Sequence, residues 1–208
     1  MITVLIVDDH DIVREGLKQI VLETGDIVVG GEARTGAEAM ERVRSRVWDV
    51  VILDLNLPDR PGLDLLGEIR QVAPQSPVLI LSMHQQVSYA VRALKMGAAG
   101  YVSKDTAREH LVQAIRKLAR GERFLTPAVA EGLAFEHMDG AGAAHARLSD
   151  REFQIFNRIA GGKPPRDIAA ELGLSVKTVA THRARILTKM GLKNNAAIVQ
   201  YAFEHDLL

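Results

Sequence analysis

The chain contains no cysteine, which excludes both a disulfide framework and a thiolate metal site. No apolar stretch approaches the roughly 18 to 20 residues that a helix needs to span a bilayer. The opening segment, MITVLIVDDH, carries no basic residue ahead of its apolar run, and Asp8 and Asp9 cut that run short. It does not read as a signal peptide, so a cytoplasmic protein with no membrane partner is expected. Internal repeats are absent, and the formal charges cancel.

That zero balance hides an asymmetry. Residues 1–120 hold 15 Lys/Arg against 16 Asp/Glu, residues 121–146 hold 1 against 4, and residues 147–208 hold 10 against 6. The carboxyl-terminal third is therefore at +4 and the remainder at −4. A small basic segment carried on an acidic body points mildly to nucleic acid, although many basic faces are merely solvated.

What is present is a regular alternation. At 208 residues, 47% hydrophobic and 25% charged, the chain suits one large globular domain or two ordinary ones. Short apolar runs at 2–7, 27–30, 50–53, 78–81 and 100–103 alternate with amphipathic patterns at about 11–23, 36–46, 62–72, 86–96 and 106–119. Five β-α units in succession predict an α/β fold over 1–120, a doubly wound five-stranded parallel sheet with helices on both faces. The small residues of DGAGAAHA, 139–146, read as a flexible linker within 121–146, with a short helix around 127–136 opening at Thr126-Pro127. From 147 to 208 the period is purely helical, at about 149–161, 165–172, 176–190 and 194–204, which predicts a small all-α second domain.

The polar residues fall where such a sheet binds ligands, just beyond the carboxyl ends of its strands. The first run ends in Asp8 and Asp9, the third in Asp54, the fourth in Ser82 and the fifth in Lys104. Crowded carboxylates raise one another's pKa unless a cation joins them. The pattern offers only oxygen ligands at this rim, which favours a hard ion, and Mg²⁺ is the usual choice. Lys104 and Ser82 are placed to meet Asp54 or an anionic group added to it. A carboxylate with a metal on one side and a lysine on the other is well set to attack a phosphoryl group. Alternatively, any single Asp here is simply the cap of a following helix.

LIVDDH, VVILDLNLP, LILSMH and GAAGYVSKD together resemble the receiver domain of two-component response regulators, over about residues 1–120. The resemblance implies a flavodoxin-like fold in which Asp54 accepts a phosphoryl group from a sensor histidine kinase. It implies that Asp8, Asp9, Asp54 and the backbone carbonyl of Asn56 hold Mg²⁺, that Ser82 and Lys104 bind phosphoryl oxygens, and that Tyr101 is an aromatic switch rotating inward. Many receivers carry proline after the lysine, where this chain has Asp105.

In the basic segment, Ile168, Ala169 and Leu172 make one apolar helix face, Gly173 permits a sharp turn, and Ser175 is placed to cap the next helix. Val179, Ile186 and Met190 share that helix's buried side, while Lys177, Ala180, Thr181, Ala184 and Thr188 point away, with Arg185 at the edge. Such a small, partly basic face suits a major groove, where a methyl group can meet the methyl of thymine. LSDREFQIFNRIAGG and DIAAELGLSVKTVATHRARILTKMGLKN resemble the LuxR-type helix-turn-helix of NarL/FixJ regulators. The similarity makes 176–190 the recognition helix, with Lys177, Thr178, Thr181, His182, Arg183, Arg185 and Lys189 as candidate DNA contacts. Several relatives carry lysine at the position of Ala180 and a longer polar residue at that of Ala184. A charge of only +4 on double-stranded DNA favours a homodimer on paired half-sites. The helix at about 194–204 is a dimer contact in the family, though core packing explains Ile198 and Ala202 as well.

The expectation is a non-enzymatic, phosphorylation-controlled transcriptional regulator. Two other readings stay open: a DNA-binding protein with a relic acidic site, and a phosphohydrolase with Asp54 as nucleophile. Such hydrolases commonly carry an acid two positions on, where this chain has Asn56.

Overall fold

The computed structural model describes residues 1–83, 87–131, 144–205 and 207. The chain divides into two compact units, Met1–Glu131 and Gly132–Leu208. Most of the expected linker, 132–143, lies outside the described residues, as does the second half of the helix expected at 127–136 and the residue at 86 expected to open the fourth helix; 127–131 is helical.

The first unit alternates β1 (Ile2–Val7), α1 (Asp11–Leu22), β2 (Ile27–Ala33), α2 (Gly36–Ser45), β3 (Val50–Asp54), α3 (Gly62–Val72), β4 (Val78–Ser82), α4 (Val87–Lys95), β5 (Gly100–Ser103) and α5 (Ala107–Ala119). All strands run parallel in the order β2-β1-β3-β4-β5. The second strand runs to Ala33, three residues beyond its apolar run, because its register with β1 skips a residue between Val4 and Leu5 and then resumes as Leu5↔Gly31 to Val7↔Ala33. Alternation along the strands divides two cores. Val4, Ile6, Val50, Ile52, Leu79, Leu81 and Val102 join Leu17 and Val21 of α1 and Leu111, Ile115 and Leu118 of α5 in one cluster. The intervening residues, Leu5, Val7, Val51, Leu53, Val78 and Ile80, face the opposite side and are also fully buried. Strands buried on both faces are apolar throughout, which is why the runs lack polar alternation.

The chain continues past the expected start of the linker at 121 before it leaves the first unit's sheet. Phe124 is buried and bridges Gly100, its N–H donating to Ala99 O at 3.1 Å, so the chain leaves the sheet only after 124. The apolar ring accounts for this, since it joins Leu111, Ile115 and Leu118 of α5 in the cluster on that face of the sheet.

In the second unit a 3₁₀ turn, Ala144–Arg147, leads into α6 (Asp150–Ala160), α7 (Pro165–Glu171), α8 (Val176–Met190) and α9 (Asn195–Glu204). Each main boundary has a local cause. Ser149 and Glu152 form a reciprocal capping box, Ser175 accepts from the Thr178 N–H, Asn194 accepts from the Ala197 N–H, and Gly191 ends α8 in the left-handed region at φ 67°. Val179, Ile186 and Met190 are buried with Phe153, Phe156, Ile168 and Ile198. Turns of this kind set α7 and α8 as a helix-turn-helix pair.

Candidate functional site

In this order the chain winds outward from β1 to β2 on one side and from β3 to β5 on the other, and the crevice between β1 and β3, where that winding reverses, receives residues from both. Val7 pairs Leu53, so Asp8 and Asp54 project side by side one residue further on. Both are 1% exposed, far below the usual state of an aspartate. Lys104, arriving from the end of β5, spans them: its Nζ donates to Asp54 Oδ2 at 2.6 Å and contacts Asp8 Oδ2 at 2.7 Å. Burial pushes the Asp54 carboxyl above its ordinary pKa; the Lys104 charge pulls the other way and Asp8 adds to the rise. Burial also opposes the Lys104 charge, but Asp54 and Asp8 together outweigh it and hold the ammonium above its usual value.

The Asn56 N–H donates to Asp54 Oδ1 at 3.2 Å. The loop carrying Asn56 is held at two points. Gly62, opening α3, donates to Leu55 O at 2.9 Å and sits so close that a Cβ there would lie 2.5 Å from Asp54 O and from Leu55 Cα. Asp59 accepts from the N–H groups of Gly36 and Ala37, at 2.8 and 3.0 Å, fastening the same loop to the start of α2.

His10 lies beside the expected oxygen donors. Its Nδ1 lies 2.8 Å from Asp9 Oδ1 and 3.2 Å from Asp8 Oδ1, and one ligand atom from each of Asp8, Asp9, His10 and Asp54 falls within 4.8 Å of the others. Among the described residues, three carboxylates confront the Lys104 ammonium, an excess of negative charge that a divalent cation would balance. The carboxylates are hard donors and the imidazole is 62% exposed, so the set fits Mg²⁺ through its oxygens and does not require the ring.

Arg14 was not anticipated, although it occupies the buried stripe of α1 with Leu17 and Val21, where a charge is anomalous. It is 4% exposed and donates to the main-chain carbonyl of Asp8 at 2.7 Å, to Glu32 at 3.0 Å and to Asp11.

Ser82 is fully buried at the end of β4 and shares a hydrogen bond with Tyr101, which is itself 5% exposed. Burial raises the phenol pKa further out of the titrating range. Tyr101, the expected aromatic switch, is thus buried against the Ser82 side chain.

On the helical unit the seven candidate DNA contacts separate. Lys177, Thr181 and Arg185 are exposed with Ala180, Ala184 and Thr188 on one face of α8. The other four have local engagements. Thr178 shares a hydrogen bond with the capping Ser175 at 2.8 Å, and Arg183 Nε donates to Asn195 Oδ1 at 2.6 Å. Lys189 donates to Glu152 Oε2 at 2.6 Å, pairing a carboxylate that is 3% exposed. His182 is half-buried, and burial together with the Arg185 charge lowers its pKa. The helical wheel placed these residues around α8 but not against Glu152 or Asn195, whose positions depend on α6 and α9.

The receiver model, described as the response regulator receiver domain, matches residues 4–116, and the model of bacterial regulatory proteins of the luxR family matches residues 146–202. The chain belongs to the response regulators. It is similar to the probable transcriptional regulatory protein NarL of Mycobacterium tuberculosis, 35% identical over 100% of this chain and 96% of that one. The transcriptional regulatory protein UhpA of Salmonella typhimurium is 37% identical over 98% of this chain and 99% of its own. Among solved structures, the RcsB response regulator of Salmonella typhimurium matches with a TM-score of 0.61 at 26% identity, covering 97% of this chain and 98% of that chain. RcsB has also been solved as a complex with DNA. This regulator thus combines a two-component receiver with a LuxR-type DNA-binding domain. Among the described residues no helix is long and apolar enough to cross a membrane.

Proposed function

We propose that this regulator is phosphorylated on Asp54 by a sensor histidine kinase and that the phosphoryl group controls dimerisation and DNA binding. The observation that carries the reading is the half-buried lysine joining two strand-end carboxylates, Lys104 Nζ to Asp54 at 2.6 Å and to Asp8 at 2.7 Å. The carboxylates of Asp8, Asp9 and Asp54 and the carbonyl of Asn56 would hold Mg²⁺. When bound, Mg²⁺ supplies charge neutralisation for the transferring phosphoryl group.

The chain's own groups account for the rest. An Asp54 oxygen attacks the phosphorus of a phosphohistidine, the P–N bond breaks with its electrons returning to the imidazole, and an acyl phosphate remains on Asp54. Asn56 contributes a main-chain N–H rather than an acid, which supports phosphoacceptance over repeated hydrolysis. The added group brings a charge of about −1.5 to −2 with three acceptor oxygens. Lys104 transfers its hydrogen bond from the carboxylate to one of these. Ser82 turns toward another, surrendering its bond to Tyr101, and the face formed by α4 and β5 changes. In the DNA-binding domain, α8 enters the major groove with Lys177, Thr181 and Arg185 at the bases and backbone, one copy per half-site.

A mobility-shift titration with and without a small phosphodonor tests this. Phosphorylated wild type is expected to bind DNA at least several-fold more tightly than Asp54→Asn given the same donor. Equal affinities sink the switch, and phosphate recovered on another residue sinks the assignment of Asp54.

A further inference from the structure

The carbonyl of Asp8 is the first on β1 beyond the last ladder pair, Val7↔Leu53. Its amide is still held, donating to Ala33 O at 3.1 Å. Its side-chain oxygens are held as well, Oδ1 by the His10 N–H at 2.9 Å and Oδ2 by Lys104. The carbonyl oxygen has lost its strand partner, and a buried carbonyl requires a donor. Arg14 Nη1 provides one at 2.7 Å, from a guanidinium that Glu32 and Asp11 hold on its other edges.

We infer that Arg14 is a positioning residue for the Mg²⁺ carboxylates, acting by fixing the Asp8–Asp9 peptide rather than by its charge. The inference rests on the phosphoacceptor reading above. Geometry favours position over charge. Two carboxylates already neutralise the guanidinium, and Lys18 and Arg34 in turn pair those carboxylates at 2.7 and 3.2 Å. What remains distinctive is the fork, which reaches Asp8 O and Glu32 together while the planar head cannot rotate away. The peptide it clamps carries both Asp8 and Asp9, so a tilt there swings two ligand carboxylates at once. Groups that orient metal ligands commonly alter metal affinity tenfold or more when removed.

The test is Mg²⁺ titration of the full chain by calorimetry, well below the unfolding temperature, for wild type, Arg14→Lys, Arg14→Met and Glu32→Gln. Glu32→Gln touches no Mg²⁺ ligand and leaves Arg14 in place but loosely held, which keeps the test informative if Arg14→Met does not fold. The dissociation constant is expected to rise about tenfold for Arg14→Met, nearly as much for Arg14→Lys, and a few-fold for Glu32→Gln. Phosphorylation of Asp54 by a small phosphodonor should return to the wild-type rate in Arg14→Lys at saturating Mg²⁺. Wild-type affinity in Arg14→Lys would show that charge suffices and overturn the inference. So would an unchanged constant in Glu32→Gln alongside a lowered melting temperature. A wild-type chain that binds no Mg²⁺ would instead overturn the phosphoacceptor reading and this inference with it.

Discussion

Replacing Asp54 by Asn should make the metal-free receiver more stable while abolishing its response to phosphodonor. Three interactions set the sign. The Lys104 ammonium at 2.6 Å attracts the carboxylate by about 6 kcal/mol at an effective dielectric of about 20. Asp8, with an oxygen no more than 4.8 Å away, repels it by at least about 3.5 kcal/mol at the same dielectric, and Asp9, 31% exposed, is screened and adds a smaller repulsion. These nearly cancel, so the cost of burying the Asp54 charge decides. Lys104 does not become an orphan in the variant, since Asp8 retains it at 2.7 Å. Asn keeps an acceptor for the Asn56 N–H. We expect a gain of about 1 to 2 kcal/mol in EDTA at neutral pH, or roughly 3 to 8 °C. Mg²⁺ at ten times its dissociation constant should stabilise wild type by about 1.4 kcal/mol and Asp54→Asn by much less, so the gap narrows or closes. The single tryptophan, Trp48, is 2% exposed within the receiver unit, and its fluorescence reports that unit's unfolding alone. Asp54→Asn melting below wild type in EDTA, or an undiminished Mg²⁺ shift, would refute this balance of charges.

Gly62→Ala should slow phosphorylation of Asp54 by about tenfold or more, because its Cβ would lie 2.5 Å from backbone atoms of Asp54 and Leu55 and one of them must move; an unchanged initial rate with phosphodonor would count against it. Burial works against the Glu152 charge, but Lys189 and Ser149 outweigh it and hold the carboxyl below its ordinary range. The stability this gives the helical unit is fully present above about pH 4.3, the ordinary value, and is lost as pH falls through the lower folded value. Methyl NMR of Met190 across an acid titration should show that loss in wild type and not in Glu152→Gln, which should cost about 1 to 3 kcal/mol at pH 7. On α8, the Thr181 and Thr188 hydroxyls donate to the carbonyls of Lys177 and Ala184 at 3.0 and 3.1 Å, leaving methyls and alanines on a face with few donors for guanine. Replacing half-site thymines by deoxyuridine in a selected DNA should therefore weaken binding about fourfold per contacted methyl, and no effect at any position would exclude this readout.

Much of this was legible in the amino-acid order. Apolar runs of strand length ending in Asp8, Asp54, Ser82 and Lys104 place those side chains on one rim, because parallel connectivity sends every carboxyl end to the same edge. Local capping chemistry likewise set the limits of α8 at Ser175 and Gly191. His10, between Asp9 and Asp11, follows the strand end in the loop before α1, and no periodicity there states which way its ring turns. Arg14 announced itself only as a charge on an apolar stripe.

The partners across the fold belong to the tertiary structure. Lys104 reaches Asp54 across 50 residues of chain, Lys189 turns to Glu152 rather than outward, and Tyr101 lies inward against Ser82. Periodicity states which way a side chain leaves its own element. Which group meets it there depends on the packing of elements remote in sequence, and no local rule carries that information.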